Sequence, residues 1–181
     1  MNEIGKMGGQ RRDFSNPMEV LGDCHRRIER FLGVLNEAAN ASGRPLTAEE
    51  DDVLQRVSRF FQQAGVRHVQ DEEESLFPRL QKKSGAAVEA VIAQCTALET
   101  DHHSADQLHT EVDRIIDLWR AQNGLSPTDA QTFRTAVDGL LAIYEPHIAY
   151  EDSMVFPLCS QVFTAEELNE IGQEMAARRS R

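Results

Sequence analysis

The chain has 181 residues, with 19 Lys plus Arg against 30 Asp plus Glu and a net charge of -11 at pH 7. That length suits one domain with short extensions and supports a hydrophobic core without disulfides. The acidic balance argues against a nucleic-acid partner, the lack of an apolar run of about 20 residues argues against a membrane span, and three irregularly spaced cysteines, Cys24, Cys95 and Cys159, suit reduced, buried thiols in a cytoplasmic protein.

Residues 1–16 are polar and Gly-rich, without the apolar stretch of a secretory signal, and read as a disordered tail. From Met18 to about Ala41, Leu21, Cys24, Ile28, Leu32 and Leu35 recur at helical spacing, with His25 inside the stripe. Ser42-Gly43-Arg44-Pro45 breaks this helix, and Thr47 with Glu50 forms a capping box that opens the next. The second stripe runs Val53, Val57, Phe60, Phe61, Ala64, His68, Glu72, so a His and a Glu continue an apolar face. Pro78 is expected to kink or end that helix. The run Asp71 to Glu74 reads as a solvated acidic face apart from Glu72.

A third helix is predicted from about Ala86 to Gln122, with Val91, Cys95, Leu98, His102, Ala105 and Val112 on its inner face and Asn123-Gly124 as its stop. Ser126-Pro127 opens a fourth helix carrying Phe133, Val137, Leu140, Tyr144, His147 and Glu151, with Pro146 expected to kink it. Beyond Pro157, Thr164 and Glu167 cap a short tail helix that ends in a solvated Arg178-Arg179-Ser180-Arg181. No strand pattern appears. The expected fold is all-α: an up-down-up-down four-helix bundle over residues 17–160, a C-terminal helical extension over 161–181 and the tail over 1–16.

One stretch occurs twice. His68, Glu72, Phe77 and Pro78 recur as His147, Glu151, Phe156 and Pro157, each at an offset of 79 residues (147 − 68, 151 − 72, 156 − 77, 157 − 78). His25 and His102 are 77 residues apart (102 − 25). Residues four apart share a helix face, so each half of a duplicated helix pair turns one His, then one His and one Glu, into the interior. Two buried carboxylates without a cationic side chain cost several kcal/mol each, and bound cations would offset this. Four imidazoles and two carboxylates suit two transition metals, iron before manganese and manganese before zinc.

In these residues the chain resembles the hemerythrin-like (HHE cation-binding) domains: His25, then His68 and Glu72 with Leu76-Phe77-Pro78, then His102, then His147 and Glu151 with Val155-Phe156-Pro157, across roughly residues 18–160. The resemblance implies a four-helix bundle holding two iron ions, a di-iron centre bridged by oxo or hydroxo and by both glutamates. It implies metal ligation by His25, His68, Glu72, His102, His147 and Glu151. His103 stands beside His102 as the alternative third-helix ligand. The oxygen-carrying hemerythrins have a further His four residues on, where this chain has Asp106. Asp106, Glu29 and His109 are candidates to complete the site, and Tyr144 lies one turn before His147. An open position on each iron would favour peroxide or redox reactivity over reversible oxygen carriage.

Three functions compete. The first is a binding or sensing protein for dioxygen, nitric oxide, peroxide or redox state, with no nucleic-acid or membrane partner. The second is a di-iron enzyme with peroxidase or catalase-like activity, or one donating iron in cluster repair. The third is a metal-free helical interaction module, which the duplicated His and Glu positions argue against.

Overall fold

The computed structural model describes residues 14–122 and 124–180, and every regular element among them is helical. Four long helices carry the site and a fifth closes one end. Helix α1, Pro17–Ala41, starts where the Asn16 side chain accepts from the Glu19 amide. Helix α2 (48–80) starts at the reciprocal Thr47/Glu50 capping box. Helix α3 is Ala86–Ala121, entered through Gly85 at φ 126°. Helix α4 (127–162) is capped by Ser126, and α5, Ala165–Arg179, by a second capping box, Thr164 with Glu167.

Helices α2 and α4 contain wide π-turns, at Phe61–Gly65 and Asp71–Leu76 in α2 and at Glu151–Val155 in α4. Pro78 and Pro157 each follow a π-turn. A proline lacks an amide donor and its ring collides with the carbonyl four residues back. Those carbonyls, of Glu74 and Ser153, lie within the π-turns, where the extra residue relieves the collision. The break expected at Pro78 is therefore a widened turn, and α2 ends at Leu80. Likewise α4 runs on to Val162, and Pro146 lies within its continuous α-helical part, Pro127–Tyr150.

Neighbouring helices run antiparallel. His25 meets His68 while Phe31 meets Phe60; Asp51 meets Arg120 while Glu73 meets His102; Asp101 meets His147 while His109 meets Tyr144; and His25 meets Asp152 while Asn36 meets Arg134. The apolar core falls into two parts. One, built around Leu35, Ile115, Trp119, Phe133 and Leu140, fills the end near the α1–α2 loop. The other, with Leu21, Leu76, Phe77, Leu80 and Val155, fills the opposite end and includes Ile171 and Met175 of α5. The histidines and glutamates singled out in the sequence lie between them. No helix among the described residues is long and apolar enough to cross a membrane.

Helix α5 is joined to α2 by charge as well as by its core residues. Asp71 is fully buried, and Arg178 and Arg179 donate to its two oxygens at 3.0 and 2.6 Å. Arg178 also reaches Glu74 and Ser75. Asp71 is thus buried and paired rather than part of a solvated face, although Glu74 is exposed, and Arg178 and Arg179 are not a solvated end. Asp71 lies one turn after the buried His68, and α5 folds back across it. Arg79 with Glu174 and Lys83 with Glu167 extend the seam. Of the expected tail, residues 1–13 lie outside the described residues, as do Asn123 and Arg181. Phe14 lies under the Arg179 guanidinium, and its carbonyl approaches Gly172 so closely that a Cβ there would lie 2.1 Å from the oxygen.

Replacing both Arg178 and Arg179 with Ala leaves Asp71 buried without a counter-charge and should destabilise the protein by about 3–5 kcal/mol. Arg114→Ala, which removes an exposed pair with Glu111, should cost less than about 1 kcal/mol. Urea denaturation of the two variants measures the difference, and equal losses would contradict the clamp.

Candidate metal centre

All six residues of the repeated pattern meet in the polar layer between the two cores. His25 comes from α1, His68 and Glu72 from α2, His102 from α3, and His147 and Glu151 from α4. His25, Glu72 and Glu151 are fully buried, and His102, the most accessible, is 8% exposed. Each His reaches inward from an α-helical turn, whereas each Glu sits at or beside the first residue of a π-turn. The wider turn changes the helical phase, so that the residue after each Glu is also drawn toward the site.

The imidazoles form two pairs. His25 Nε2 lies 3.1 Å from His68 Nε2, and His102 Nε2 lies 3.1 Å from His147 Nε2. Both glutamates face both pairs. Glu72 places Oε1 at 3.2 Å from His68 Nε2 and Oε2 at 3.3 Å from His102 Nε2. Glu151 Oε2 lies 3.2 Å from His25 Nε2 and 3.3 Å from His147 Nε2. The groups compact enough to hold a metal ion are His25, His68, Glu72 and Glu151, and His102, His147 and Glu151.

The other nitrogen of three of these rings is held by a carboxylate: His25 Nδ1 by Asp152 at 2.8 Å, His102 Nδ1 by Glu73 at 2.8 Å and His147 Nδ1 by Asp101 at 3.2 Å. A carboxylate can only accept, so Nδ1 carries a proton, and in the neutral imidazole the inward Nε2 is a bare lone pair. The arrangement crosses between the halves. Glu73, after Glu72, orients His102 of the second half, and Asp152, after Glu151, orients His25 of the first. Arg26 in turn pairs with Asp152. His68 Nδ1 has no partner. Asp101 precedes His102, whereas Cys24 precedes His25, so the first half lacks the corresponding carboxylate.

Two bare nitrogens 3.1 Å apart, as at His102 and His147, repel unless a proton or a cation lies between them, whereas His68, whose Nδ1 has no partner among the described residues, can also donate from Nε2 to His25. All four glutamate oxygens are buried and, among the described residues, have no hydrogen-bond donor beyond the imidazole nitrogens that face them. Two nitrogens about 2.1 Å from one ion, at right angles, are about 3.0 Å apart. The donor set therefore fits two cations, one at each imidazole pair, with both glutamates between them. Carboxylates on Nδ1 are the partners that orient metal-bound histidines.

Without metal, protons take up the strain. Burial, reinforced by the charge of Glu151, pushes the Glu72 carboxyl well above the usual carboxylate range. Burial also opposes ionisation of Glu151, but His147 and His25 outweigh it and hold that carboxyl low. His25 and His147 are lowered by burial and raised more strongly by the glutamates, for a net rise. His68 is held neutral by burial and by the charge of His25.

A cavity of about 360 Å³ opens beside the imidazoles. His103 lines it but is exposed and bonds Gln107, so of the two adjacent histidines it is His102 that enters the cluster. Asp106 stands at the cavity wall, exposed. His109 also lines the cavity and shares a 3.1 Å hydrogen bond with Tyr144. Glu29 does not join them; it is exposed and pairs with Arg26. The sequence reading missed the orienting carboxylates Glu73, Asp101 and Asp152. Extending the repeated register by one residue would have paired Glu73 with Asp152 as an acidic position common to both halves.

The family described as hemerythrin HHE cation binding domain matches residues 16–159 of the chain. No curated protein matches it.

Between about pH 6.5 and 8, unfolded carboxyls are ionised and unfolded histidines lose their protons, while burial and the neighbouring carboxylates make Glu72, His25 and His147 of the folded metal-free site release theirs at higher pH than when unfolded. The folded state binds more protons, so metal-free stability should fall as pH rises across this window. Glu72→Gln should flatten the slope, with a difference on the order of 1 kcal/mol at the upper end. Metal should reverse the trend, because its ligands bind deprotonated. Urea titrations with and without chelator measure this, and a metal-free stability that is flat or rising contradicts it.

Proposed function

This chain belongs to the hemerythrin HHE cation-binding domain family, and on that premise we propose that it is a four-helix-bundle protein holding two iron ions, which binds or senses dioxygen, nitric oxide, peroxide or redox state. In this reading His25 and His68 hold one ion, His102 and His147 the other, and Glu72 and Glu151 lie between the two. The observation that carries it is the pairing of inward imidazole nitrogens whose lone pairs are fixed by Asp152, Glu73 and Asp101. Iron there would supply a reversible change of oxidation state and a coordination position for a small ligand.

The chain's own residues do the rest. The three orienting carboxylates raise the basicity of their imidazoles and fix each ring's direction. Phe156, stacked on His25 at 5.2 Å, shields that side from water. Glu72, His25 and His147, each raised in the metal-free site, would give up their protons where cations are held. The cavity gives a small molecule a path to the imidazoles.

A second reading, a peroxide-decomposing or iron-donating enzyme, is favoured by one observation. Asp106 stands exposed at the cavity wall, where the oxygen carriers have a ligating histidine. This leaves more of the metal face accessible to a reactant.

Purified protein should contain two irons per chain and show near-ultraviolet bands that shift with azide. His102→Ala should lower the iron content and remove the shift, whereas His103→Ala should retain both. Peroxide turnover against reversible oxygenation separates the two readings. A folded protein that takes up no iron would overturn both.

A further inference from the structure

The cavity beside the imidazoles is larger than a diatomic ligand needs. At about 360 Å³ it lies in the range of pockets that take small organic molecules, roughly 300–1,000 Å³. It is also long. His102 forms part of its floor and His109 part of its far wall, seven residues apart on the unbroken α3. At about 1.5 Å per residue that is on the order of 10 Å. Dioxygen at the floor would leave the far wall untouched.

The chemistry of the walls narrows the occupant. Phe61, stacked on His109 at 4.0 Å, and Ile148 make apolar sides. Against them stands one polar pair, the Tyr144 hydroxyl with His109 Nε2. Burial holds the His109 pKa at about 4, so the imidazole is neutral at pH 7. A phenol is also neutral at that pH, so the pair carries no charge. If the phenol donates to His109 its oxygen can still accept; if it accepts, its proton is free to donate. A hydroxyl both donates and accepts, and so fits either state. Glu73, Glu99 and Asp106 also line the cavity, which disfavours an anion, while the cation-binding floor disfavours a cation.

We propose that the cavity binds a neutral organic molecule about the size of a single ring, with its apolar body along Phe61 and Ile148 and a hydroxyl on the Tyr144–His109 pair. This deepens the di-iron reading and rests on it. It names the class of molecule brought to the metal face, and Tyr144 and His109 are the residues that select it.

The test uses full-length, iron-loaded protein and calorimetric titration with benzyl alcohol, benzoate and benzylammonium, which share a ring and differ in charge. Benzyl alcohol should bind one per chain, at least tenfold more tightly than either charged analogue. Tyr144→Phe should weaken it about tenfold, and Val69→Phe, which narrows the cavity from another wall, should weaken it further; circular dichroism verifies that both variants fold. Lack of saturable alcohol binding, tighter binding of a charged analogue, or an unchanged affinity in folded Tyr144→Phe would overturn the proposal. Iron is quantified in the same samples. Two irons without alcohol binding sinks this inference alone, and a folded protein without iron sinks the reading beneath it.

Discussion

Four imidazole nitrogens and two carboxylates, buried between two apolar cores, need protons or cations among them. The close approach of Nε2 to Nε2 in each pair is tolerable only with a proton or a cation in between. Burial raises the stakes, because the low-dielectric interior strengthens every unbalanced interaction. The rest of the molecule serves that condition. The two cores bury the layer from either end, the four-residue spacing brings each Glu onto the face of its own His, and the orienting carboxylates hold the rings with Nε2 pointing inward.

Support for the layer extends well beyond its ligand atoms. Arg26 holds Asp152, which orients His25. Arg178 and Arg179 hold Asp71, the residue before Glu72. Helix α5 is therefore tied to the backbone that presents one of the two shared glutamates, and its Ile171 and Met175 complete the adjacent core. The halves are alike but not equal. His147 has Asp101 on its outer nitrogen, and His68 has no counterpart. The imidazole pair formed by His25 and His68 is thus the less firmly oriented one, a difference traceable to Cys24 standing where the second half has Asp101.

Much of this was legible in the sequence. The helical stripes, the two capping boxes and the duplicated His-x-x-x-Glu all depend on residues within a turn or two of one another, where periodicity governs. The choice of His102 over His103 followed from its place among Leu98, Ala105 and Val112, all on the inner face. What stayed hidden depends on contacts between distant segments or on backbone phase. Asp71 to Glu74 reads as a solvated run because an ordinary α-helix would turn most of it outward. Asp71, one turn after the buried His68, lies inward, and Arg178 and Arg179 reach it from more than 100 residues away (178 − 71 = 107). Glu73 and Asp152 looked like ordinary surface acids because their partners lie on other helices. Pro78 and Pro157 signalled a disturbed hydrogen-bond ladder without indicating that a widened turn would absorb it.

The measurement that bears most directly on the central claim is anomalous X-ray scattering at the iron absorption edge from crystals of the iron-loaded protein. Two peaks are expected in the polar layer, one beside His25 and His68 and one beside His102 and His147, with Glu72 and Glu151 between them. A single peak, or iron bound only elsewhere on the molecule, would contradict it.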